Sequence, residues 1–82
     1  MKKAEIQTFY IHCASIDWGV KTRAVFVPSG WDKCDKIAEL HEFIDRFVDD
    51  LEDIGLTPTW ACVTEDYLGE GPCTIWKRVG PV

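Results

Sequence analysis

The chain contains no run approaching the roughly 20 consecutive apolar residues that a membrane-spanning helix needs. The opening Met1-Lys2-Lys3-Ala4-Glu5 carries none of the apolar stretch of a secretory signal, so the expectation is a cytoplasmic protein with no membrane partner. Cys-x-x-Cys pairs are missing too. Cys13, Cys34, Cys62 and Cys73 stand 21, 28 and 11 positions apart, which removes the usual sequence support for zinc and leaves thiols as the expected state.

Catalytic signatures are equally scarce. There is no Gly-x-Ser-x-Gly, no phosphate-binding loop and no His-Glu-x-x-His, and Gly69-Glu70-Gly71-Pro72 reads as a turn. His12 and Cys13 are strand neighbours that point to opposite faces. His41 and Cys34 lie on one side of a helix but about 10 Å apart along its axis, too far to share a metal ion. No catalytic residue, metal site or cofactor is expected, and the chain reads as non-enzymatic; a small thiol or redox enzyme is the alternative that a reactive cysteine would revive.

A basic excess is also absent: 14 acids face 9 bases, for a net charge of −5. Tyr10, Arg23, Trp76 and Arg78 could in principle stack on single-stranded nucleic acid, but a phosphate backbone would meet net negative charge, so nucleic acid is a disfavoured partner. What remains is an ordinary globular composition, 46% hydrophobic and 28% charged, in 82 residues. That length makes one domain, residues 1–82, with a single core.

Glu5 to Cys13 and Val20 to Val27 are rich in β-branched and aromatic residues and flank the turn-forming Ala14-Ser15-Ile16-Asp17-Trp18-Gly19, which predicts a hairpin. With Cys13 near Val20, the face of Phe9, Ile11 and Cys13 would also hold Val20, Thr22, Ala24 and Phe26, leaving Tyr10, His12, Lys21 and Arg23 on the other. Pro28-Ser29-Gly30 breaks the strand. Ser29 or Asp32 can cap a helix running from about Asp32 to Ile54, whose Ile37, Leu40, Ile44, Phe47, Val48 and Leu51 fall on one stripe, and Gly55 is placed to end it. Thr57 to Thr64 and Cys73 to Val79 predict a second strand pair. A symmetric hairpin there would set Cys62 opposite Cys73 and Trp60 opposite Ile75; a cross-strand disulfide is one outcome, although a reducing compartment favours two thiols. The expected fold is α+β: ββαββ, an antiparallel sheet with one long amphipathic helix on one face, strand order open.

The charge is unevenly placed. Asp32 to Asp53 holds nine acids and three bases, a net of −6, while the rest of the chain has five acids and six bases, a net of +1. Asp35, Glu39, Glu42, Asp49 and Asp53 fall opposite the apolar stripe, forming a negative ridge along roughly 30 Å of helix. A solvated helix face is commonly charged. Asp49, Asp50, Glu52 and Asp53, however, crowd the C-terminal turns, where the helix macrodipole disfavours acid by about 0.3–1 kcal/mol per residue before screening. That placement points to retention for a basic partner, with Lys21, Arg23, Lys77 and Arg78 as the internal alternative for neutralising it.

Trp60 and Trp76 are expected in the core by strand position, whereas Trp18 in the first loop and Trp31 ahead of the helix are interface candidates. Phe43, bordering ridge and stripe, is the candidate apolar anchor. In size, acidity and absence of catalytic motifs the chain is similar to the small inhibitors that bacteriophages and mobile elements encode, anti-CRISPR proteins among them; the likeness aligns no residues. The expected function is a protein-binding module that inhibits or regulates a basic, nucleic-acid-handling protein, presenting Asp35, Glu39, Glu42, Asp49 and Asp53 in place of phosphates with Phe43 as the apolar anchor. The alternative is binding through the sheet loops by Trp18, Tyr67 and Leu68. A homodimer through an exposed sheet edge is left open.

Overall fold

In the computed structural model, which describes residues 5–79, four antiparallel strands and one helix follow in the order β1 (Ile6–Ser15), β2 (Gly19–Pro28), α1 (Lys33–Asp53), β3 (Trp60–Thr64) and β4 (Ile75–Arg78). This is the ββαββ α+β fold. The sheet order is β2-β1-β3-β4, so β1 is flanked on both sides while β2 and β4 form the edges.

The first hairpin turns on three residues rather than six. Ser15 pairs with Gly19, the intervening Ile16-Asp17-Trp18 is held by the Asp17 amide donating to Ser15 Oγ (3.1 Å), and Gly19 takes φ +88°, the left-handed conformation that closes such loops. Cys13 therefore faces Lys21, not Val20, and the expected facing of β2 is inverted. A one-residue slip exchanges every side chain. Val25 and Val27 join Phe9, Ile11 and Cys13 in the core, while Phe26 and Val20 point outward and stay exposed. Two β-branched residues fill this interior, and the Arg23 that comes with them finds a carboxylate and an aromatic ring on the helix.

Both helix ends follow from their sequence. Asp32 Oδ1 accepts from the Asp35 amide at 2.9 Å, satisfying one of the amides left free at the N-terminus. At the other end Gly55 adopts φ +85°, its amide donates to the Glu52 carbonyl and the Leu56 amide donates to the Leu51 carbonyl (3.0 and 2.8 Å). These two bonds form a Schellman stop, and Leu56 packs back on the core behind it. Leu40, Ile44, Phe47 and Leu51 are buried against the sheet, and Ile37, Phe43 and Val48 flank them half-buried.

The second strand pair is shorter than expected. Thr57, Pro58 and Thr59 approach β3 outside the ladder, with Pro58 buried and Thr59 donating its amide and its hydroxyl to the Ala14 carbonyl. Cys62 faces Trp76 and Trp60 faces Arg78, because the ten residues between Thr64 and Ile75 form an asymmetric loop. Ile75 thereby turns into the core. Trp76 turns outward and is 59% exposed, against the expectation that it is core; Trp60 is half-buried.

Candidate functional site

The solvent side of α1 carries the ridge as spaced. Asp35, Glu42, Asp49 and Asp53 are exposed and Glu39 half-buried, and among the described residues none of the five forms an ion pair. The sheet's bases go elsewhere. Arg23 reaches Asp50 at 2.7 Å with its guanidinium 4.4 Å from the Phe47 ring centroid, and Lys77 reaches Asp45 at 3.4 Å. Two flank carboxylates are neutralised by the sheet while the crest is left open. Helical spacing puts Arg46 on that crest between Glu42 and Asp49, where its guanidinium lies 5.8 Å from the Phe43 ring. The ridge is thus interrupted, with Asp35, Glu39 and Glu42 on one side and Asp49 and Asp53 on the other.

The N-terminal half has shape as well as charge. Trp31, 43% exposed, lines an open groove of about 330 Å³ together with Asp35, Ala38, Glu39 and Glu42. An aromatic wall beside three carboxylates suits the aliphatic stem and cationic head of a lysine or arginine. The last turn of α1 contains no basic residue. Asp49, Glu52 and Asp53 stand there against the dipole.

Trp18 is placed differently from Trp31. It is half-buried against the core, and its indole N–H is enclosed with no hydrogen-bond partner among the described residues. This makes it packing for the hairpin tip rather than an open contact. Phe43 is half-buried at the edge of the same core, with Arg46 over it.

The face of the sheet away from α1 holds a constellation that the sequence reading passed over. His12 is buried beneath the β3–β4 loop, its ring within hydrogen-bond distance of the Thr22 and Thr64 hydroxyls, 2.9 Å each. Thr64 Oγ1 donates to the Asp66 carbonyl at 2.7 Å and so accepts from His12 Nε2–H, which leaves Nδ1 to accept from Thr22. Burial lowers the His12 pKa from its ordinary value; the Asp66 carbonyl and carboxylate oppose that shift more weakly. Gly69, at φ +75°, lies directly over the ring, where an added Cβ would sit 3.4 Å from Nε2. Tyr67 meets Tyr10 edge to face at 5.6 Å between centroids, and Leu68 beside it is exposed.

This arrangement divides the residues considered for stacking on a nucleic acid. Trp76 and Arg78 share the outer face and Tyr10 is engaged by Tyr67, but Arg23 lies on the helix side against Asp50. Among the described residues no group of three or more His, Cys, Asp or Glu side chains is arranged to hold a metal ion, and no helix is long and apolar enough to cross a membrane. All four cysteines are free: Cys34 and Cys73 exposed, Cys13 and Cys62 buried. No protein-family model, no curated protein and no solved structure matches the chain.

Proposed function

We propose that this protein is a non-enzymatic binding module that docks the solvent face of α1 on a basic partner, inhibiting or regulating a nucleic-acid-handling protein in the manner of small phage-encoded anti-defence proteins. The observation that carries this reading is the division of charge along α1: the sheet neutralises Asp45 and Asp50 on its flanks, and the crest acids have no ion-pair partner among the described residues. A fold selected for stability alone gains nothing from uncompensated acid in the last helical turn. A basic groove gains a complementary surface.

In this reading the Trp31 groove receives a lysine or arginine of the partner, with Asp35, Glu39 and Glu42 around its head group. Asp49 and Asp53 give longer-range attraction, and Phe43 with Arg46 marks the apolar border between the two halves. Attraction of this kind acts over about 10 Å at 0.1 M salt, so association is fast and salt-sensitive. The test is capture of the partner from the source cell at low salt, followed by affinity measurements across a salt series with wild type and with Glu42→Lys, Asp49→Lys, Asp53→Lys combined. Steep loss of affinity with salt, and its abolition by the triple reversal, is the expected outcome. A salt-independent affinity that survives the reversal removes the reading.

A second reading rests on the outer sheet face and its loop. Tyr67, Leu68, Trp76 and Phe26 are 64%, 72%, 59% and 59% exposed, an apolar group opposite the helix. A partner taken up there would lose affinity on Tyr67→Ser or Leu68→Ser and would tolerate neutralisation of the ridge.

A further inference from the structure

The hydrogen bonds around His12 run in one direction. The Thr64 hydroxyl gives its single proton to the Asp66 carbonyl at 2.7 Å, while its oxygen accepts from the Asp66 amide at 3.3 Å. Towards His12 Nε2, 2.9 Å away, that oxygen can therefore only accept. The ring proton is fixed on Nε2, and the bare Nδ1 faces Thr22 Oγ1 at 2.9 Å. Thr22 gives its proton to Nδ1 and has no other side-chain hydrogen-bond partner among the described residues. A hydroxyl, an imidazole that accepts its proton and a third group that orients the imidazole are the parts of an activated oxygen nucleophile. Three neighbouring strands hold them: Thr22 on β2 is the cross-strand partner of His12 on β1, and Thr64 stands one diagonal step away on β3.

Access changes along this relay. His12 and Thr64 are buried, whereas Thr22 is half-buried on an edge strand, with the exposed Val20 and Ala24 on either side of it on the same face. A molecule reaching Thr22 meets uncharged neighbours. We propose that Thr22 is a site of covalent acylation, with His12 as its general base and Thr64 as a positioning residue, taking a neutral activated ester or thioester with a small apolar acyl group. Thr22 Oγ1 attacks the acyl carbon, an O–C bond forms and the hydroxyl proton passes to His12 Nδ1. The tetrahedral intermediate then collapses, the bond to the leaving oxygen or sulfur breaks, and His12 gives that atom the proton. The products are O-acyl Thr22 and a free phenol, alcohol or thiol, with the imidazole neutral again.

Burial lowers the His12 pKa from its ordinary value, so Nδ1 is unprotonated at neutral pH. The groups facing the ring from β2, β3 and the loop are the Thr22 and Thr64 hydroxyls, the Cys62 thiol and Asp66, whose carbonyl and carboxylate oppose that lowering more weakly. Cys62 is the nearest rival nucleophile, and burial holds it up to about 11, as a protonated thiol. This site lies on the opposite face of the sheet from α1 and acts independently of any partner docked on the acidic ridge.

The experiment uses the full chain carrying Cys34→Ala and Cys73→Ala, which remove the exposed thiols, with p-nitrophenyl acetate as acyl donor. Release of p-nitrophenolate is followed across a pH series, and the acetylated residue is located by tandem mass spectrometry. One acetyl group per chain is expected on Thr22, at a rate that rises as His12 loses its proton below about pH 6.5 and is level above it. Thr22→Val, which keeps a branched side chain suited to a strand, is expected to abolish the adduct, and His12→Asn to slow its formation about 100-fold. Acetyl groups on lysines or Cys62 with Thr22 bare would overturn the proposal. So would acylation of Thr22 in the His12→Asn chain at the unsubstituted rate, or a Thr22 rate that climbs about tenfold per pH unit through the alkaline range, as an unassisted hydroxyl's does. The pH profile is read with His12 in place, so it decides the matter where His12→Asn loosens the loop.

Discussion

The two faces of the sheet are covered by different means. On one, the 21 residues of α1 lay Leu40, Ile44, Phe47 and Leu51 over aliphatic strand residues, and the polar groups reaching that side sit at its margins. On the other, an irregular loop of ten residues folds over His12 and Thr64, leaving Phe26 and Trp76 exposed beside it. The first face supplies most of the apolar burial that holds the domain together. The second places a titratable group, His12, beneath a loop. A domain of this size has one efficient interior, so its buried polar groups collect where the covering is thinner.

Removing a buried side chain from the helix-covered face is the most damaging way to test that contrast. Ile44→Ala is expected to cost about 2–5 kcal/mol in denaturant unfolding, because Ile44 is fully enclosed. Phe26→Ala, on the open face, is expected to change stability by no more than about 0.5 kcal/mol. Comparable losses at the two sites would break the comparison. Next in size is Gly69→Ala, which meets both a left-handed backbone and the His12 ring; about 1–2 kcal/mol of destabilisation is expected, with faster amide exchange confined to the loop.

A pH titration sharpens the contrast further. His12 has a lowered folded pKa, so the unfolded chain binds more protons between the folded value and the ordinary value of about 6.5. Its contribution to stability is whole above about pH 6.5 and is lost as pH falls below it. His12→Asn should flatten this dependence in urea midpoints measured at several pH values, and an unchanged slope would assign the effect elsewhere. The smallest expected effect is at the margin of the helix-covered face. Arg23→Gln removes an exposed ion pair and a cation–ring contact, and about 0.5–1 kcal/mol is expected, diminishing with added salt.

The helix-covered face was the more legible in the sequence, for a physical reason. A helix advertises itself by period, and Ile37, Leu40, Ile44, Phe47, Val48 and Leu51 mark α1 at the spacing that buries them. Its ends are equally local, since Asp32 and Gly55 act through bonds to residues three to five positions away. Register is a different matter. Ala14 to Gly19 can close as six loop residues or as three, and the two choices send Arg23 to opposite faces; the Asp50 and Phe47 side chains that receive it in the observed one lie more than twenty residues later. His12 looked like a solvent-facing strand residue because its neighbours are Thr22 on β2, Thr64 on β3 and a loop that folds back from beyond β3. The ridge of Asp35, Glu39, Glu42, Asp49 and Asp53 was readable as spacing. The groove it makes with Trp31 required the turn before the helix to set that ring alongside.

The strand order carries a consequence for how the chain assembles. β1, β2 and α1 are neighbours in both sequence and space, so the hairpin and the helix packed on it are complete once the chain has passed Leu56. β3, which fills the other side of β1, pairs Ala14 with Trp60 across 46 positions, and until it arrives the central strand has one open edge. Contacts of that separation form late because the intervening loop must first be closed. During synthesis the unpaired backbone amides and carbonyls along the Tyr10–Ala14 edge of β1 are the part most prone to pair with another chain, and the arrival of β3 ends that exposure.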